Sequence, residues 1–162
     1  MRSFVVVTLC AVLAIAILAV GANAGPPWGP ETPPFNVEAV LEPTAIGPEM
    51  GFGLVKFRQP NDAETTVHLH VWVRDLLPNH TYLVQRATDT TVDDDCTGSN
   101  WTMPNLGMIT TDERGTGQAD LLRPLPASLL GTEIDIHFRI AETATAASGV
   151  LESACYQFVV SL

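Results

Sequence analysis

The segment TTVHLHVWVRDL, residues 65–76, alternates residue by residue. Val67, Leu69, Val71 and Val73 fall on one side, and Thr66, His68, His70, Trp72 and Arg74 on the other. A period of two marks a strand with one buried face, because successive side chains of a strand point to opposite sides. The same period runs through the rest of the chain. Residues 35–41, 51–57 and 80–87 read as three more strands. Residues 106–111 and 117–122 read as a hairpin pair closed by Asp112-Glu113-Arg114-Gly115, with the glycine where positive φ is needed. In residues 132–142, Ile134, Ile136, Phe138 and Ile140 point in, while Glu133, Asp135, His137 and Arg139 point out. A last strand spans 151–160 and carries Cys155. No stretch sustains a helical period. About eight short strands at this spacing predict an all-β, two-sheet antiparallel Greek-key sandwich, immunoglobulin-like or superoxide-dismutase-like.

The strands begin only after a leader. One arginine, an apolar run from Phe4 to about Val20 and the ending Ala22-Asn23-Ala24 predict a signal peptide over residues 1–24, cleaved before Gly25. An uncleaved anchor is the rival reading, and the small-x-small ending argues against it. Residues 25–34, GPPWGPETPP, form a Pro-rich tail or linker, since proline lacks the N–H that helix and central strand require. Residues 35–162 form one domain. Its two cysteines, Cys96 and Cys155, read as a disulfide in an oxidising compartment. Closing a loop of about 60 residues stabilises the fold by roughly 4 kcal/mol on the chain-entropy account.

The formal net charge is −10, and Lys56 is the only lysine. Such a balance argues against nucleic acid and anionic membranes, both of which reward clustered cations. No Gly-x-Ser-x-Gly elbow and no phosphate-cradling glycine loop occurs. The sequence therefore implies no catalytic residue and no cofactor.

Leu76, Pro78 and Tyr82 have the spacing of a tyrosine corner, in which a phenol bonds upstream backbone and pins a sheet crossover. The spacing resembles that of fibronectin type III modules, although about half of the strands here follow it. A broader layout runs from Gly53-x-Val55-x-Phe57 through the alternating strand and Leu76-x-Pro78 to a loop cysteine and a last-strand cysteine. It resembles the copper-zinc superoxide dismutase sandwich and secreted domains of the chordin-repeat type. That resemblance implies the fold and a bridge from Cys96 to Cys155. It does not imply dismutase chemistry: the strand after the turn reads Thr81-Tyr82-Leu83-Val84-Gln85, without histidine, and the metal loop is missing from residues 88–104.

His68 and His70 sit on one strand face about 6.5–7 Å apart, a spacing that suits a shared metal if more ligands converge. His137 is the third weak candidate, on condition that its strand lies beside theirs. Arg74 and Arg139, on the same two faces, oppose a cation, so polar residues on a wet sheet face are the preferred reading and no metal is assigned. Asp89 and Asp93–Asp95 read as a solvated acidic loop rather than a calcium loop, whose ligands would alternate. Asn79 and Asn100 fit the glycosylation sequon in turns. The expected function is a secreted, non-catalytic binding or structural module for an unknown protein or surface ligand. Its contacts are expected in the loop of residues 88–104, which carries Trp101 and Met103. The alternative is a copper- or zinc-binding or redox protein using His68, His70 and His137.

Overall fold

The computed structural model describes residues 36–59, 66–97 and 103–160. The expected leader, the Pro-rich tail, Asn100 and Trp101 lie outside them. The described chain is all-β: β1 (Asn36–Pro43), β2 (Phe52–Arg58), β3 (Thr66–Arg74), β4 (Thr81–Asp89), β5 (Asn105–Thr110), β6 (Gly117–Pro124), β7 (Glu133–Ala141), β8 (Leu151–Ser153) and β9 (Tyr156–Val159), with one 3-10 turn at Ala127–Leu129. Every strand pair is antiparallel, in the order β5-β4-β7-β8-β1-β2-β3-β6, and β9 also pairs with β7. Where two separate sheets are expected, β8 joins β1 to β7 and makes one ladder. The sheet curls nearly into a barrel. Its end strands come together, for a methyl placed on Gly107 of β5 would fall 2.5 Å from Leu121 Cδ2 of β6.

Alternation decides the core. Val67, Leu69, Val71 and Val73 of β3 are buried, as are Val37, Ala39 and Leu41 of β1 and Val55 and Phe57 of β2. The Phe57 ring lies 5.8 Å from that of Phe138 on β7 and 4.8 Å from that of Phe158 on β9, so opposite walls of the curled sheet meet through aromatics. Each such fully buried large side chain contributes roughly 1.5–3 kcal/mol.

Two expectations are corrected. First, β5 and β6 are consecutive and joined by a tight turn, yet they are not a hydrogen-bonded hairpin. β5 pairs with β4, and β6 pairs with β3. Their turn is held from outside. Leu76 N–H donates to Gly115 O (3.2 Å), and Asn79 N–H donates to Asp112 O (2.9 Å). Gly115 has φ +75°, and a Cβ there would lie 2.1 Å from Leu76 O, so this contact excludes any other residue. Second, the final strand is split. Along β7, two residues lie between Ile136 and Arg139, whereas three lie between their partners Tyr156 and Glu152. The extra residue is a β-bulge. There the Phe138 N–H donates to Ser153 Oγ (3.0 Å), which replaces the lost ladder bond.

Leu77 N–H donates to Tyr82 Oη at 3.1 Å, the contact a tyrosine corner makes, and Tyr82 is only 1% exposed. The buried Thr111 hydroxyl donates to Leu77 O (2.6 Å) and accepts from His80 N–H (3.0 Å), tying the corner to the β5–β6 turn. Cys96 and Cys155 are bonded, with Cα atoms 5.6 Å apart across 59 residues of sequence. The bond fastens the loop after β4 to the bulge between β8 and β9.

Replacing Tyr82 by Phe leaves the Leu77 N–H without its acceptor, which costs about 1–3 kcal/mol in urea unfolding. The Cys96→Ala/Cys155→Ala double variant loses about 4 kcal/mol in the same assay, more than Tyr82→Phe, because the bridge closes a long loop.

Candidate functional site

The outer face of β2, β3 and β6 carries a cluster of polar and charged side chains. Alternation turns Lys56 and Arg58 of β2 outward, together with His68, His70, Trp72 and Arg74 of β3 and Asp120 and Leu122 of β6. Register then sets the rows. Glu38, Lys56, His70 and Asp120 lie side by side across four strands, as do Asn36, Arg58, His68 and Leu122. Lys56, Arg58, His68, His70, Asp120 and Leu122 line a shallow concavity of about 540 Å³. His70 Nδ1 donates to Asp120 Oδ1 at 2.7 Å, and both side chains are open to solvent. Along the same face, Arg74 lies over the Phe52 ring at 5.2 Å from its centroid, and Phe52 meets Trp72 edge-on at 6.1 Å. Aromatic and cation therefore form a ledge beside the basic row.

The three histidines do not meet. His68 and His70 are on β3, while His137 is on β7, paired with Ala87 of β4. β2, β1 and β8 lie between the two strands. The condition attached to the metal reading therefore fails, and no group of three or more His, Cys, Asp or Glu side chains placed to hold a metal occurs among the described residues. Lys56 and Arg58 stand beside His68 and His70, which further opposes a cation there.

The outward residues of β7 are not solvated as alternation alone implies. Asp135 is 0% exposed and Arg139 is 7% exposed. Flanking loops cover them. Asp135 Oδ2 accepts the Asp93 and Asp94 N–H groups at 2.9 and 3.0 Å. Arg139 Nε donates to Gln85 Oε1 (2.6 Å) and its Nη2 to Ala146 O (3.0 Å), while Gln85 Nε2 donates to Asn105 Oδ1 (2.6 Å). These groups order loops. The acidic loop works likewise: Asp89, Asp93 and Asp95 each accept a backbone N–H two residues on, as Asx turns do. Of the residues expected to make contacts, Met103 is half-buried. Asn79, with φ +51°, is exposed in its turn, open to a glycan.

Sequence reading passed over Lys56, Arg58, Asp120 and Leu122. Each sits on its own strand as an ordinary outward residue, and only the β2–β3–β6 register gathers them. The clue in the sequence was that the sole lysine lies two residues from an arginine on one strand face.

His137 is half-buried, and burial pushes its pKa below the usual 6.5; Glu152 raises it and Arg139 lowers it again. The unfolded chain therefore takes this proton first, and the stability the neutral ring contributes, present above about pH 6.5, is lost as pH falls toward the depressed value. In urea unfolding between pH about 7.5 and about 5, wild type should lose more stability than His137→Gln. Equal losses would show that other groups carry the acid sensitivity.

No family model matches the chain, and no curated protein matches it. Among solved structures, that of the clock protein EA4 aligns with a TM-score of 0.42 and 16% identity, over 76% of this chain and 94% of that one.

Proposed function

We propose that the chain is a secreted, non-catalytic binding module whose contact surface is the β2–β3–β6 face, and that its partner presents carboxylates. The observation that carries this reading is the placement of charge. In a chain of net charge −10, three of the eight Lys and Arg residues, with two of the four histidines, stand on this one face. The surrounding acidity orients an anionic partner toward this patch and away from the rest of the surface. Leu122, 59% exposed within the concavity, adds an apolar contact, and the Phe52–Trp72–Arg74 ledge bounds it.

The scaffold is read as a two-sheet Greek-key sandwich, β6-β3-β2-β1 facing β5-β4-β7-β8, of the superoxide-dismutase-like or chordin-repeat type that the layout resembles. Three observations support it. The walls meet through Phe57, Phe138 and Phe158. β6 lies beside β3 while the intervening β4 and β5 pair with each other on the far side of the sheet. The Cys96–Cys155 bond joins a loop to the last-strand region, as in the layout. The same bond supports secretion, since disulfides persist in oxidising compartments.

A glutamate-rich peptide titrated into the protein should shift the NMR signals of Lys56, Arg58, His68 and His70, with an affinity that weakens as salt rises. Lys56→Glu/Arg58→Glu should weaken it about tenfold, the sum of two partly screened charge contacts. Binding that ignores both the charge reversal and the salt would sink the assignment.

A further inference from the structure

A second cationic site lies inside the curled sheet, away from the outer face. Arg86 is on β4, between Val84 and Thr88, on the inward side that also carries Tyr82. Its ladder partner on β7 is Phe138, whose ring packs on Phe57, so Arg86 points between the walls. The Nε and Nη1 atoms of its guanidinium are buried and have no hydrogen-bond partner. Arg123 faces it from β6. The register brings them together: Gly107 of β5 lies opposite Val84 and packs on Leu121, and Arg86 and Arg123 are each two residues further toward the same end. Just before β5, Pro104 O accepts the Arg86 N–H (3.3 Å), so the chain entering β5 runs beside β4 at that level. Among the described residues the ion pairs are His70–Asp120, Arg74–Asp75 and His137–Glu152, and neither arginine belongs to one.

A guanidinium stays charged in any protein, so it cannot escape burial by losing its proton. Burial, and then the facing Arg123, push the Arg86 pKa down, which expresses how unfavourable its charge is where it stands. Buried donors without acceptors cost free energy, and like charges add to the cost. A group carrying opposite charge and several acceptor oxygens would remove both penalties at once.

We infer that the Arg86–Arg123 pair, between β4 and β6 where the chain enters β5, is a binding site for a small doubly charged oxyanion of the phosphate or sulfate class. Nε and Nη1 of one guanidinium form the fork that takes two oxygens of such an anion in parallel. Two facing cations match a dianion better than a single carboxylate, which would neutralise only one of them. The site is separate from the outer face and stands whether or not that face binds a partner.

The test compares melting temperatures in inorganic phosphate and in sodium chloride of equal ionic strength. Phosphate should raise the wild-type value by on the order of 10 °C at a hundredfold excess over Kd, and acetate should raise it less. Arg86→Met should abolish the increment while remaining at least as stable as wild type in chloride, because the unpaired buried charge goes with the side chain. Arg86→Lys keeps the charge without the fork and should weaken phosphate binding at least about tenfold by isothermal titration, should Arg86→Met fail to fold. Arg123→Met should weaken it as well, and Lys56→Glu/Arg58→Glu should leave it unchanged. A wild-type protein with no phosphate increment, or Arg86 variants that respond as wild type does, would overturn the inference.

Discussion

Everything in this fold depends on β5 and β6 parting company. A four-residue turn between two alternating segments normally closes a hairpin, since hairpin bonds are the nearest available to the chain. Here the bonds go elsewhere, and what redirects them is a knot of polar contacts at one end of the sheet. Gly115 O and Asp112 O accept N–H groups from Leu76 and Asn79, Thr111 bridges Leu77 and His80, and Tyr82 Oη accepts the Leu77 N–H. The β3–β4 crossover and the β5–β6 turn thus brace each other. With the two connections locked together, β6 runs beside β3, β5 runs beside β4, and the sheet curls until its end strands touch.

The outer face follows from that arrangement. β6 beside β3 brings Asp120 to His70 and Leu122 to His68, and β2 on the other side supplies Lys56 and Arg58. Had β6 stayed with β5, the concavity would lose one wall. The interior arginines follow too. Arg86 and Arg123 face each other because Gly107, lacking a side chain, lets β5 approach Leu121 closely.

Polar residues outside these two places have another occupation. Asp135, Gln85 and Arg139 are buried under loops and hold them by hydrogen bonds to backbone and to one another. The aspartates of the loop after β4 cap its turns. Cys96, at the end of that loop, fastens it to the bulge between β8 and β9. One wall of the sheet is thereby overlaid by ordered loops, while the opposite wall, β2–β3–β6, presents its side chains to solvent.

By itself the sequence determined the local state of the chain. The two-residue period in β1, β2, β3, β4 and β7 located these strands to within a few residues and sorted core from outer face, because side-chain direction in a strand is a purely local property. The disulfide partners and the phenol of the corner were legible for a similar reason: two cysteines allow one pairing, and Leu76, Pro78 and Tyr82 are close in sequence. Which strands became neighbours was decided only by the tertiary structure. Register depends on hydrogen bonds between distant segments, and alternation is identical whichever neighbour a strand chooses. For that reason the expected β5–β6 hairpin did not form, His137 ended with three strands between it and His68 and His70, and the outward residues of β7 were buried. Lys56, Arg58 and Asp120 became one site, and Arg86 and Arg123 another, through pairings that no single segment encodes.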